Sequence, residues 1–333
     1  MFNYCTYFDR NYLPQALSLY SSLEKNCPDF RLFALCLDED SYQILQLLTY
    51  PKMVLIPLAD VESKIPELLV AKENRSKVEY YFTLSPAMPL YIFEVYSVDF
   101  LTYLDADLFF FSDPTPIFEE MGNCSIAIIE HKLHKFFSSM LIYGRFNVGW
   151  ISFRSDDEGM SCLKFWHQQC LEWCYKKLEE GKFADQKYLD YWPTLYKNLK
   201  IIEHKGANVA PWNMANYEVK KESNHIFIDN NVLIFFHFHG LKRYFSNIYS
   251  VGYRVTKVNK IARQEIYYPY INILRENTNV VNNTIERYQL SIPLLEKKDV
   301  FTDVSFTEKL KQFGSLLFRL FFSGNYVKHK LLD

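Results

Sequence analysis

Two aspartates one residue apart, Asp105 and Asp107, stand in the stretch TYLDADLFFFSDP, whose other residues mostly favour burial. An unpaired buried carboxylate costs on the order of several kcal/mol, so such a pair calls for a counter-charge. A divalent cation supplies one. Carboxylate oxygens suit hard ions, and Mg2+ or Mn2+ keeps open positions for substrate phosphates. Side chains alternate along a strand, so D-x-D turns both carboxylates to one ion only at a strand end or a turn, with Ala106 facing the other way. The competing reading is an ordinary strand-end turn. The bare pattern is weak, since Asp38 and Asp40 also fit it. Those two precede SYQILQLL and read better as a solvated loop or a helix N-cap.

A second candidate set lies far downstream. HIFIDNNVLIFFHFHG (225–240) reads as a hairpin turned at residues 229–231, whose second strand carries His237 and His239. One histidine on a strand is most simply a hydrogen-bonded core residue. Two at this spacing share a face, which favours a functional role.

The elements that must position these groups alternate. Strand signals at 2–8, 30–37, 53–58 and 100–105 are separated by helical patterns near 13–26 and 41–48 and from about 72 to 96, where Pro86 and Pro89 are expected to kink or divide the helix. The alternation predicts an α/β domain with a mostly parallel central sheet flanked by helices. Ligands of such sheets bind beyond the carboxyl ends of the strands, and the acidic pair stands at one. Further strands are expected at 125–131 and 146–154, followed by a long helix over 158–181 that ends at Gly181. The expected division is a main domain over 1–250 and a helical extension over 251–333.

At 49% hydrophobic residues, the 333-residue chain can bury a sizeable core, and a net charge of −2 gives no basic footprint for nucleic acid. Seven cysteines in irregular positions, without a C-x-x-C pair, read as reduced thiols of a cytoplasmic protein. Three N-glycosylation patterns, at Asn74, Asn123 and Asn282, are short enough to arise by chance. The first residues show no basic region, apolar stretch or cleavage site. No apolar run reaches the roughly 18 residues of a spanning helix. The expectation is a cytoplasmic protein, with peripheral contact at the inner face of the cytoplasmic membrane left open.

Five stretches together resemble one family. TYLDADLFFFSDP is similar to the D-x-D strand of nucleotide-sugar glycosyltransferases with the GT-A fold, FNVGWISFR to their F-N-x-G segment, and FADQKYLDYWP to the D-Q segment that follows. FFHFHG resembles the H-F-x-G metal-ligand element of family 8, the retaining galactosyl- and glucosyltransferases that include glycogenin. CTYFDRNYLPQALSLYSSL resembles that family's first strand and loop, with its D-x-N-Y nucleotide contact. The order agrees, over roughly residues 2 to 245. The resemblance implies a GT-A, Rossmann-like fold and a bacterial enzyme of a surface polysaccharide pathway.

It also implies roles. Asp105, Asp107 and His237 match the family's Mn2+ or Mg2+ ligands, His237 by its place three residues before Gly240. His239 has no counterpart and is open between supporting a ligand and contacting the diphosphate. Lys242 or Arg243 would hold the diphosphate, because GLKRYFSN lacks the family's lysine followed by Pro-Trp. Thr6, Tyr7, Asp9, Asn11 and Tyr12 match the nucleotide pocket, where Tyr12 offers a stacking face for uracil or is simply a helix staple. Arg75 and Lys77 fall where the family has a basic residue near the phosphates, or form a solvated helix face. Ala106 joins Asp105 against the donor. Asn147 and Gly149 hold the donor too, unless FNVGWISFR is only a core strand. Asp185 would bind sugar hydroxyls and Gln186 would lie near the anomeric carbon. A neutral amide is a poor nucleophile, which favours front-face attack by the acceptor hydroxyl, with retention.

The loop HKGANVAPWNMANY (204–217) either meets sugar, through a Trp212 face and the amides of Asn208 and Asn213, or is a rigid turn. The last segment, TEKLKQFGSLLFRLFFSGNYVKHK, either lies on a membrane surface, with Lys309, Lys311, Arg319, Lys328 and Lys330 on anionic lipid, or docks on the core. The leading expectation is a metal-dependent hexosyl- or N-acetylhexosaminyltransferase that takes its sugar from a nucleotide diphosphate, UDP by resemblance, to a glycan or lipid-linked acceptor. Two rivals stand beside it. A nucleotidyltransferase would start with a glycine-rich loop, which CTYFDRNY lacks, and a non-catalytic sugar-binding protein would not need three ligands.

Overall fold

Apolar, β-branched and aromatic residues fill Phe2–Phe8 (β1), Phe30–Cys36 (β2) and Met53–Pro57 (β3), and these strands pair in parallel. The computed structural model describes residues 1–27, 29–245, 248–251, 258–295 and 326–328. Phe100–Leu104 (β4) joins β1 in parallel. Leu108–Phe110 (β5) leaves the main sheet just after the acidic pair. Ile126–Glu130 (β6), Phe146–Arg154 (β7) and Leu199–Ile202 (β8) complete a seven-stranded sheet in the order β3-β2-β1-β4-β7-β6-β8. Only β7 runs against its neighbours, so the sheet is mostly parallel, as the alternation predicts.

Helices cover both faces. Leu13–Asn26 (α1) and Glu39–Leu48 (α2) follow the first two strands, and Asp38 caps α2 by accepting from the Ser41 amide at 2.8 Å. The acidic cluster at 38–40 is therefore a helix cap. Leu58–Lys64 (α3), Glu67–Asn74 (α4) and Lys77–Tyr96 (α5) come before β4, and α5 opens with a capping box between Ser76 and Glu79. The helical stretch breaks at Arg75 and Ser76, while Pro86 and Pro89 stay inside α5. Leu84, Ala87, Met88 and Ile92 are buried there, which offsets the ~3 kcal/mol that an interior proline costs. Thr115–Met121 (α6), Asp157–Glu172 (α7) and the one-turn Trp192–Leu195 (α8) follow. One core lies between the sheet and α5 with α7, around Phe33, Tyr103, Phe153 and Trp166. The other lies between the sheet and α1, around Tyr4, Leu17, Trp150 and Phe235.

Two expected elements end elsewhere. The helix expected to run to Gly181 stops at Glu172, and Trp173 is extended. Side chains from outside take its last carbonyls: the Arg75 guanidinium donates to those of Cys170 and Leu171, and the Tyr188 hydroxyl to that of Trp173. The second correction concerns the late hairpin. Val219–Glu222 (β9) and His225–Ile228 (β10) pair, but β10 then meets only Asn231–Val232 (β11). Phe235–His237 (β12) pairs with β5 instead, Phe235 opposite Phe110 and His237 opposite Leu108.

Lys242–Phe245 (β13), Ile248–Ser250 (β14) and Tyr326–Lys328 (β15) form a small antiparallel sheet. Tyr268–Arg287 (α9) packs along α1, where Asn277 donates to the Ser18 hydroxyl at 3.0 Å. Most of the amphipathic tail, with Lys309, Lys311, Arg319 and Lys330, lies outside the described residues. Among the described residues no helix is long and apolar enough to cross a membrane.

Asp38 also accepts from the Arg10 amide at 2.8 Å, so it ties the loop after β1 to α2. Asp38→Ala is expected to lower unfolding stability by about 1–2 kcal/mol, measured by urea titration.

Candidate active site

The register between β5 and β12 sets the centre of the site. His237 lies opposite Leu108, and the Phe238 amide donates to the Asp107 carbonyl at 3.0 Å. The His237 ring is 1% exposed, with Nε2 3.1 Å from Asp107 Oδ1 and 3.6 Å from Asp105 Oδ2. Neither ring nitrogen makes a well-formed hydrogen bond. Carboxylate, imidazole and His239 donor atoms fall within 4.8 Å of one another, counting Asp107, His237 and His239. A buried imidazole with orphaned nitrogens, facing two carboxylates, is a donor set that fits Mn2+ or Mg2+. Burial raises the Asp105 carboxyl above its usual range, whereas at Asp107 the His237 charge overcomes burial and lowers it. For His237 burial works downward, but the two aspartates prevail and raise its pKa.

A chain of hydrogen bonds steadies this centre from behind. His131 follows β6, and its Nδ1 lies 3.2 Å from the Arg145 carbonyl, which can only accept. That fixes the hydrogen on Nδ1 and leaves Nε2 to accept from Asn147 Nδ2 at 3.2 Å. Burial pushes the His131 pKa down to about 4, with help from His237 and His239, so the ring is neutral. Asn147 Oδ1 in turn accepts from the Gly149 amide at 3.0 Å. The Gly149 carbonyl accepts from the Asp105 amide at 3.1 Å. A register shift between β6 and β7 at this point brings Gly149 against the site. A Cβ there would stand 2.5 Å from Asn147 Oδ1 and 2.9 Å from His237 Cε1, so the position admits no side chain without displacing them.

On the side of β1, the Tyr103 hydroxyl donates to Asp105 Oδ1 at 2.9 Å, and the Tyr7 hydroxyl lies 3.1 Å from Ser85 Oγ. Asp185 is buried next to them. Burial lifts its carboxyl to about 7, Asp105 adds to the rise, and a hydrogen bond with Ser85 opposes it. Gln186 follows, its Nε2 donating to the Tyr143 carbonyl at 3.2 Å, against Gly144. The loop after β1 closes the other rim. Asp9 accepts from the Asn11 amide at 3.0 Å and pairs with Lys77 at 3.0 Å. Asn11 and Tyr12 are exposed as residues, but the Tyr12 hydroxyl end is partly desolvated, and this together with Asp107, Asp105 and Asp9 pushes its pKa up to about 12. Gly240 takes a positive φ of 73° just after the histidines, a conformation that suits glycine. Lys242 is exposed, and its charge joins desolvation and His237 in holding the His239 pKa low. Arg243 sits on the opposite pleat of β13.

Several expected contacts take other places. Arg75 does not reach toward phosphates: it is buried and donates to Thr83 and to the end of α7. Trp212 offers no open face, being 2% exposed, with its ring against His237 and His239 and its Nε1 donating to the His131 carbonyl. Asn208 and Asn213 are buried and bond to backbone carbonyls, so they shape the loop rather than face a ligand. Thr6 is fully buried within β1, and Ala106 points into the core beneath the acidic turn. Asp105, Asp107, Asn147, Gly149, His237 and His239 do come together. His131, Tyr103 and Ser85 were absent from the expected set. His131 directly follows a legible strand, but its meeting with Asn147 depends on the β6–β7 register, which spacing does not encode.

In backbone the chain is similar to the crystal structure of the galactosyltransferase LgtC in complex with donor and acceptor sugar analogs. The TM-score is 0.51 at 14% identity, covering 82% of this chain and 95% of that one. At that identity the likeness is one of fold, and the fold is of the GT-A type. No family model matches the sequence. The sequence is 37% identical over 269 residues to the uncharacterized protein YfnF of Bacillus subtilis (strain 168), spanning 78% of this chain and 84% of that protein. It is 32% identical over 274 residues to YfnD of the same organism, spanning 81% and 88%. The chain belongs to the family of these two proteins.

The raised Asp185 pKa has a signed consequence. Between the ordinary aspartate value near 4 and about 7, the folded protein holds a proton that the unfolded chain has released, so stability falls as pH rises through that window. In metal-free buffer, Asp185→Asn is expected to melt above wild type at pH 8 and to match it at pH 4, by differential scanning calorimetry.

Proposed function

We propose that the protein is a metal-dependent glycosyltransferase that takes a hexosyl or N-acetylhexosaminyl group from a nucleotide diphosphate, UDP in the reading favoured here, and delivers it with retention to a glycan or lipid-linked acceptor. The observation that carries this reading is the buried His237 imidazole, its nitrogens lacking well-formed hydrogen bonds and facing Asp105 and Asp107 at the carboxyl end of β4. LgtC, whose fold this chain shares, is a galactosyltransferase, which adds support of a weaker kind.

Asp105, Asp107 and His237 would hold Mn2+ or Mg2+, with His239 beside them. When bound, the cation supplies positive charge to the diphosphate that leaves the sugar. Lys242, exposed and close to His239, adds a second positive charge there. The Asn147–His131 pair holds the wall behind His237 rigid, so the ligands need little reorganisation on binding. The exposed Tyr12 ring would be available to a base, with Asp9 and Asn11 on the same loop beside it. Asp185, held partly protonated near neutral pH, can both donate to and accept from sugar hydroxyls. Gln186 presents a neutral amide, so the acceptor hydroxyl attacks from the face that the leaving group vacates, without a covalent glycosyl-enzyme.

Thermal melts with UDP test the first half of this reading. UDP with Mn2+ is expected to raise the melting temperature of the wild type, and UDP with EDTA to leave it unchanged. His237→Ala and Asp107→Ala should lose the Mn2+-dependent rise. An equal rise with and without the metal sinks the reading. Asn147→Ala is expected to lower the rate of UDP-sugar turnover by about 10–100-fold, the usual cost of losing a group that orients a ligand. NMR of the first sugar released from UDP-sugars tests retention, and an inverted anomer would overturn that part.

A further inference from the structure

A cavity opens beside the chain that follows the histidines, at Leu241 and Arg243. It holds about 570 Å3, within the range of small-molecule sites, between the start of α1, the middle of α9 and β13 with β14. Arg10, Arg243 and Arg275 line it, and among the described residues no carboxylate does. Arg10 is engaged elsewhere, with Nη1 on the Pro293 carbonyl at 2.6 Å and Nε 3.7 Å from Asp40. Arg275 is half-buried on α9 and has no ion-pair partner among the described residues. Burying part of a guanidinium without a counter-charge is unfavourable, so the cavity is preorganised for an anion. Its remaining walls are mixed, with Tyr249, Leu241 and Leu274 on one side and polar groups on the other.

Position adds a second argument. Lys242 and Arg243 are neighbours on β13, and their side chains leave on opposite faces. Lys242 lies near His239, so Arg243 is turned from the metal centre into this cavity. Asn11, on the loop after β1, lines the cavity too.

We propose that this cavity is a subsite for a phosphate or diphosphate ester carried by the acceptor. Guanidinium groups bind such oxyanions through paired hydrogen bonds, and the leucines with Tyr249 cover the apolar part of the molecule that carries the ester. That the anion belongs to the acceptor rests on the transferase reading; that the cavity binds an oxyanion does not.

Calorimetry with inorganic pyrophosphate in EDTA tests binding without the metal centre. Wild type is expected to bind, and Arg275→Gln and Arg275→Glu to bind at least about tenfold more weakly, the loss expected for a charged hydrogen bond. Their UDP binding in Mn2+ should stay within about twofold of wild type, since one rotatable charged group in a separate cavity is removed. Melting curves of both variants check that they fold. Unchanged pyrophosphate binding in both variants overturns the proposal. So does an equal loss of Mn2+-dependent UDP binding, because the cavity is then part of the donor pocket. Flotation with phosphatidylcholine vesicles, with and without phosphatidic acid, separates the sources. Arg275-dependent recovery only with phosphatidic acid supports an ester carried on lipid, and pyrophosphate binding without recovery supports a soluble one. Should Arg275-dependent binding persist while no UDP-sugar is turned over, the oxyanion site stands and the transferase reading falls.

Discussion

The pairing of β5 with β12 is the constraint on which the site depends. Three residues on each side set the register, and it places His237 one position from the acidic turn although 130 residues separate His237 from Asp107. A slip of one residue would turn the imidazole to the other face and drive Phe236 or Phe238 at the carboxylates. The aromatic packing of Phe110 on Phe235, and of Phe235 on Trp150, holds against that slip. The same rings form part of the core, so the stability of the fold and the aim of the ligand come from one set of contacts.

Around that pairing the chain keeps polar groups in positions that folding alone would not select. Asp185 holds a carboxyl in surroundings that favour its neutral form, and Asp105 and Asp107 face each other across His237. Such arrangements cost a fold stability and are concentrated at functional sites. The neutral His131 is the quieter partner. Its ring hydrogen is fixed by one carbonyl, and this in turn orients the Asn147 amide and the Gly149 strand.

Much of this could be read from the chain. The alternation of strands and helices predicts the mostly parallel sheet because each element declares its own period, and Asp105, Asp107 and His237 stand out because carboxylates and imidazole are costly in apolar runs. What escaped reading depends on contacts between distant segments. Trp212 looks like an open sugar platform in a Gly- and Asn-rich loop, yet the fold buries it against three histidines. Arg75 looks like a phosphate ligand, yet it ends α7 by taking its carbonyls. The helical pattern runs on past Glu172 for the same reason, since the terminator of α7 comes from another element. For β12 a hairpin is the nearest pairing in sequence, and nothing local announces the more distant β5 with which it pairs.

The three proposed ligands enter the chain at different times. Asp105 and Asp107 belong to its first third, while His237 arrives only after β12 has found β5. If an ion is held by all three, as proposed, it would discriminate between finished and unfinished molecules, and its binding energy would accrue to the complete topology alone. In the proposed reading such a cation would act as a clasp between the two segments, and a chain halted before residue 235 would present two acids with nothing to fasten them to.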